Sequence, residues 1–140
     1  MMSRLPVWVA ALWWGSLTTL GFLVVPLLFV HLPTPAMAGG MAARLFTAQT
    51  WVSTGCGLFL LLQTRQNRSS ALDHGARTAM IFIVSGLLLA LLSEFAVAPR
   101  IVARENLRLW HSVGSVMYLL QWVCAAATFG KLLPPRPQVS

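Results

Sequence analysis

Charged side chains are scarce in this sequence: ten Lys and Arg and three Asp and Glu make up only 9% of its 140 residues. A typical soluble domain is about 25% charged, because its surface must face water. Here 57% of the residues are hydrophobic, which is too many for a water-covered surface on a chain of this length. The scarcity of charge excludes a soluble globular protein and predicts that lipid covers most of the chain.

Cysteines and catalytic motifs are scarce as well. Cys56 and Cys124 both lie inside apolar stretches, which predicts reduced thiols that act as small apolar fillers. The sequence contains no hydrolase motif, phosphate-binding loop, metalloprotease helix or Cys-x-x-Cys pair. We therefore disfavour a hydrolytic enzyme.

The positive charge of the chain is dispersed. The formal net charge is +7, but the basic residues are divided between the two ends of the apolar segments and have few aromatic residues among them. A nucleic-acid-binding protein concentrates such residues on one face. We expect membrane lipids with anionic headgroups as partners and no nucleic acid, and a homo-oligomer is an alternative that stays open.

Four long apolar segments dominate what is present. A helix needs about 20 predominantly apolar residues to cross a bilayer. Residues 5–30, 45–64 and 109–130 are free of charge, whereas the run from residue 78 reaches this length only by continuing through Glu94. We predict an all-α integral membrane protein, a four-transmembrane-helix bundle with up-down-up-down topology. The predicted domain covers residues 1–133, with helices at about 6–30, 41–63, 77–97 and 99–130, and a disordered tail follows at 134–140.

Prolines and glycines indicate the helix boundaries. Pro26 should kink helix 1, because it cannot donate the backbone hydrogen bond of an inner turn. After helix 1, the prolines predict a short loop that ends at Gly39-Gly40. Pro99 suits the first turn of a helix, so we expect helix 4 to begin there and to protrude from the membrane. The protruding turns would carry three arginines on one face: Arg100, Arg104 and Arg108.

The basic residues also predict the orientation, because cytoplasmic loops carry an excess of Lys and Arg. One side of the predicted bundle has six of them and the other has four. We expect both termini in the cytoplasm and a multi-pass location in the cell inner (plasma) membrane. The six are Arg4, Arg65, Arg68, Arg77, Lys131 and Arg136; the four are Arg44, Arg100, Arg104 and Arg108.

Glu94 is the most unusual residue, because an ionisable group within a membrane span costs several kcal/mol by most estimates. Glu94 lies on the same helix face as Gly86 and Ala90, because the three follow one another at intervals of four residues. Small residues mark the faces on which membrane helices pack. We therefore expect Glu94 to point into the bundle. At the same predicted depth Arg44 would pair with it, since buried charges persist when paired.

All four predicted helices place a polar group at this outer end: His31, Arg44, Glu94 and His111. The first interpretation is a structural polar cap on a structural, scaffold or transport-associated protein with no resident cofactor. The second is a vestibule for protons or small solutes, in which Glu94 and His111 exchange protons while arginines attract anions. The third is a haem b or copper site with His31 and His111 as ligands.

Deeper in the bundle, two polar residues of helix 4 need partners. Tyr118 and Gln121 could be satisfied by Gln49 and Thr50 of helix 2. Hydrogen bonds of this kind hold membrane helices together, at about 0.6 kcal/mol each. The interpretation is cohesion rather than catalysis.

Five short segments, in this order and spacing, resemble the transmembrane protein 205-like family, also called domain of unknown function 4149. The resemblance covers most of the chain and implies a four-helix membrane domain without an established activity. More distantly, the chain is similar to copper-resistance D type proteins and haem-binding membrane protoporphyrinogen oxidases. That likeness implies His111, and then His31, as ligand positions. The segments are Gly21-Phe22-Leu23, Pro26-Leu27-Leu28-Phe29, Ala43-Arg44-Leu45-Phe46, Ala98-Pro99-Arg100 and Arg108-Leu109-Trp110-His111.

Overall fold

The computed structural model describes residues 4–66 and 74–134 and confirms the all-α class. Each of its four helices is long and apolar enough to cross a membrane. The predicted disordered tail falls, from residue 135 onward, outside the described residues. The helices are α1 (Leu5–His31), α2 (Pro35–Gln66), α3 (His74–Val102) and α4 (Leu107–Leu132).

The four helices close a four-sided bundle. Each helix packs against the next along the chain, and α4 also packs against α1. Because successive helices run in opposite directions, α1 and α3 end where α2 and α4 begin. We call this end of the bundle the Glu94 end, since Glu94 lies near it on α3.

The core is built from one large aromatic residue set among small ones. Trp13, Leu17, Leu60 and Ile83 are almost completely buried, and small buried residues between them let the backbones approach closely. Large hydrophobic side chains are exposed on all four helices. A bundle with an apolar exterior is expected where lipid is the solvent.

Prolines distort α1 and α3 in the same way. A π-helical turn precedes each proline: Leu20–Val24 before Pro26, and Ser93–Val97 before Pro99. In both, the residue before the proline donates its N–H to the carbonyl five residues earlier. A proline removes one donor from the ladder and crowds the preceding turn, and a wider turn accommodates it. The disruption predicted at Pro26 therefore takes the form of a π-helical turn.

The predicted start of helix 4 at Pro99 is wrong. The π-helical turn keeps Pro99 inside α3, which continues to Val102. The chain then reverses over residues 103–106, where Arg104 and Asn106 have positive φ angles of 57° and 35°. Because Arg100 lies before this turn, Arg104 within it and Arg108 after it, the three arginines do not share one helix face.

The second helix begins earlier than the sequence suggested. Thr34 caps it: its Oγ1 accepts a hydrogen bond from the Met37 N–H at 3.2 Å, and Pro35 occupies the first helical position. Gly39 and Gly40 consequently lie in the first turns of α2 instead of ending a loop. The threonine cap outweighs the poor helix propensity of the two glycines.

Candidate functional site at the Glu94 end

Glu94 lies in the π-helical turn of α3 and is half-buried. Its Oε1 accepts a hydrogen bond of 2.8 Å from the Thr47 hydroxyl of α2. A hydrogen bond to an ionised carboxylate is shorter and stronger than one between neutral groups. This contact therefore ties α2 to α3 at the Glu94 end.

Arg44 is exposed near the same end and does not pair with the carboxylate. In residues 4–66 and 74–134, no Lys, Arg or His nitrogen lies within 4.0 Å of a carboxylate oxygen. A long arginine side chain at a helix end can carry its charge toward the headgroups instead. The predicted Arg44–Glu94 ion pair is thus replaced by the Thr47–Glu94 hydrogen bond. Thr47 follows Arg44 by three residues and so shares its side of α2, a spacing that could have identified it.

The remaining predicted residues of the cluster are spread over the surface of this end. The Arg100 guanidinium lies over the Trp110 ring, 4.5 Å from its centroid, and this cation–π contact joins α3 to the first turn of α4. Arg104 and Arg108 are exposed. His111 is exposed as well, and its Nδ1 lies 3.5 Å from the Ser115 hydroxyl.

His31 ends α1 with an exposed side chain. Its Nδ1 lies 3.0 Å from the Leu27 carbonyl oxygen of its own helix. No hydrogen bond joins His31 to His111 within the described ranges. The same ranges contain no group of three or more His, Cys, Asp or Glu side chains that could hold a metal ion. In both imidazoles the nitrogen that remains for a ligand is Nε2.

Below the Glu94 end, four side chains form a central polar network of Ser16, Gln49, Ser53 and Gln121. The Gln49 Nε2 donates to the Ser16 hydroxyl at 2.9 Å and to the Ser53 hydroxyl at 3.4 Å. The Gln121 Nε2 donates to the same Ser53 hydroxyl at 2.9 Å. The network thereby joins α1, α2 and α4 through the middle of the bundle.

The partners in this network differ from the expected ones. Gln121 bonds Ser53 on α2 rather than Gln49 or Thr50. The Thr50 hydroxyl donates to the Phe46 carbonyl of its own helix at 3.1 Å. Hydroxyl groups in membrane helices often bond the preceding turn in this way, so a threonine is a poor predictor of an interhelix bond.

Tyr118 inserts its hydroxyl into the π-helical region of α1. The hydroxyl donates to the Leu17 carbonyl at 2.7 Å, and the Tyr118 ring packs directly against Gly21. The Tyr118 side chain of α4 therefore gives the Leu17 carbonyl an additional donor just before α1 departs from α-helical geometry.

Comparison with known proteins identifies one family. The model of the family described as Domain of unknown function (DUF4149) matches residues 8–109, which is well over half of the chain. The matched range extends from the first turn of α1 to the first turn of α4, and it includes Thr47 and Glu94. No curated protein and no solved structure gives a significant match. With four candidate spans, this multi-pass membrane protein belongs to the DUF4149 family.

Proposed function

We propose that this protein is a structural, scaffold or transport-associated component of its membrane, among which the packing favours the structural role, and that the Glu94 end is the polar site it presents. The central polar network is the observation that carries the proposal. Polar groups along a transport path normally face water or a substrate. Here the Gln49 and Gln121 amides donate to serines on other helices, and Ser53 is fully buried.

The core packing supports the same conclusion. Trp13 is completely buried, and its ring fills the centre of the bundle against Gly86 of the diagonally opposite helix. A close-packed centre leaves no room for a continuous column of water. The side chains inside the bundle thus serve cohesion.

Glu94 has a structural role in this proposal, and a double-mutant cycle tests it. Thr47→Val and Glu94→Met each remove one partner of the interhelix hydrogen bond. We expect a coupling energy of about 1 kcal/mol between them, measured as free energies of unfolding in mixed micelles. The matched control is the cycle of Arg44→Gln with Glu94→Met, where we expect coupling below about 0.5 kcal/mol. Stronger coupling of Glu94 to Arg44 than to Thr47 would refute the assignment.

A second candidate function is proton-linked transport of a small solute through Glu94. It is favoured by the surroundings of the carboxylate, which is half-buried and accepts a bond from Thr47 without a basic side chain within 4.0 Å in the described ranges. Vesicle measurements with Glu94→Gln distinguish this candidate from the structural one.

A haem b or copper protein with His31 and His111 as ligands remains the alternative of another class. Each Nδ1 faces an acceptor in its own helix, and such a contact orients Nε2 toward a ligand in many metal sites. A visible spectrum and metal analysis of the purified protein test it. A Soret band lost in His111→Ala would support this alternative over the structural role.

The location that we propose is the inner (plasma) membrane with both termini in the cytoplasm. The unequal distribution of Lys and Arg supports this orientation of the termini. The finer kinship, with transmembrane protein 205-like and copper-resistance D type proteins, is likewise a proposal that rests on the short segments described above. A reporter fused after Ser140 should be active only on the cytoplasmic side, and an external signal would reverse the orientation.

A further inference from the structure

One face of α4 is polar although it lies on the exposed surface of a helix that can span a membrane. Arg108, His111, Ser112 and Ser115 follow one another at helical spacing and line a shallow groove, flanked by the apolar residues Leu107 and Val116. All four polar residues are exposed. Farther along α4, Leu119, Leu120 and Val123 are exposed instead. We call the first part the α4 polar face.

The two serines of this face need no outside partner. The Ser112 hydroxyl donates to the Arg108 carbonyl at 2.9 Å, and the Ser115 hydroxyl donates to the His111 carbonyl at 2.9 Å. A hydroxyl that bonds the preceding turn is tolerated in lipid, because its donor is satisfied within the helix. The serines therefore line the groove without needing a ligand.

Arg108 and His111 differ from the serines. In the described part of the chain, neither the Arg108 guanidinium nor the His111 Nε2 has a hydrogen-bond or ion-pair partner. Glu105 is exposed in the preceding turn and forms no ion pair with Arg108, and Arg104 adds a second positive charge there. The Arg108 guanidinium donors thus lack an acceptor, and the neighbouring charge is positive on balance.

The position of the face indicates which acceptor is available. From Arg108 to Ser115 it extends about 10 Å along the helix axis, at 1.5 Å per residue. The headgroup region on each side of a bilayer is about 5–8 Å thick, so a face of this length at a helix end passes from headgroups into the outer acyl region. Guanidinium groups bind phosphate oxygens through two parallel hydrogen bonds.

We propose that the α4 polar face binds the phosphate of an anionic phospholipid. Arg108 contacts the phosphate oxygens, His111 lies beside them in the groove, and the acyl chain lies along Val116 and the apolar surface beyond it. Charge complementarity selects this occupant, because the face offers donors and positive charge to a ligand that supplies acceptors and negative charge. The proposal is independent of the roles given to Glu94 and the central polar network.

Lipid binding by the full chain, measured by native mass spectrometry, tests the proposal. The probes are phosphatidylglycerol and phosphatidylcholine with identical acyl chains. We expect tighter binding of phosphatidylglycerol, and roughly tenfold weaker binding in Arg108→Gln. Arg108→Lys should retain part of the preference, because it keeps the charge but loses the bidentate geometry. Arg77→Gln is the matched control, since Arg77 is an exposed arginine at the other end of the bundle.

Three results would overturn the proposal. Equal binding of the two lipids would remove the charge selectivity, and equal losses in Arg108→Gln and Arg77→Gln would indicate unspecific attraction. A third result concerns phosphatidylcholine alone. If the wild-type chain is dimeric there and Arg108→Gln is monomeric, the occupant of the face is a second copy of the chain. Circular dichroism confirms that each variant is folded, and Arg108→Lys serves as the reference if Arg108→Gln is not.

Discussion

Gly86→Ala is expected to lower the free energy of unfolding by about 1–3 kcal/mol. An added Cβ would lie 2.7 Å from Cη2 and 2.9 Å from Cζ2 of Trp13, and 3.3 Å from the Cβ of Cys124. Trp13 is completely buried and cannot move aside without disturbing its neighbours. The higher helix propensity of alanine, worth about 1 kcal/mol, offsets only part of this cost.

The measurement is unfolding in mixed micelles with rising denaturing detergent, and Gly15→Ala is the matched control. A Cβ at Gly15 would meet nothing within 4 Å, so this variant should be as stable as the wild type or more stable. Trp13→Phe should relieve part of the Gly86→Ala cost, because it removes the atoms that clash. Equal stability of the two alanine variants would contradict the close approach of α1 and α3.

Gly21→Ala is expected to destabilise the bundle by a similar amount, about 1–3 kcal/mol, through a different contact. The new Cβ would lie 2.5 Å from Cε1 and 3.1 Å from Cζ of Tyr118. Displacing that ring would also break the hydrogen bond from its hydroxyl to the Leu17 carbonyl. The Leu17 carbonyl would then keep only a share of the Leu20 N–H, which also donates to the Ser16 carbonyl, in a region with little water.

Two further variants separate the steric effect from the hydrogen bond. Tyr118→Phe keeps the ring and should cost only about 1 kcal/mol, the usual net value of one hydrogen bond. Gly55→Ala is the control for helix propensity, because a Cβ there would meet nothing within 4 Å. If Gly21→Ala lowered the free energy of unfolding no more than Gly55→Ala, the close packing of Tyr118 against α1 would be contradicted.

The number and the order of the helices could be predicted from the sequence, because the length of an apolar run determines whether it crosses a membrane. The residues at which the helices begin and end are harder to predict from the sequence. The start of α2 depends on the Thr34 cap, which outweighs the signal from Gly39 and Gly40. Pro99 was assigned to the wrong helix, because a proline suits both a first turn and the turn after a π-helical segment.

The partners of the polar residues were the hardest to predict. Depth along the helices brings Glu94 to the stretch of α2 that holds Arg44, but Thr47, three residues farther on, bonds it instead. A soluble helix shows by its apolar stripe which side faces its neighbours, whereas these helices are apolar on nearly every side. Their rotation is therefore determined by tight contacts such as Trp13 on Gly86, which hydropathy does not reveal.

Proton flux into vesicles tests the proposed structural role most directly. The purified chain is reconstituted with a trapped pH-sensitive dye, and the internal pH is followed after an external acid step for the wild type, Glu94→Gln and Arg44→Gln. The structural role predicts that all three relax at the rate of protein-free vesicles. Faster relaxation in the wild type that is lost in Glu94→Gln and kept in Arg44→Gln would contradict it and establish proton-linked transport instead.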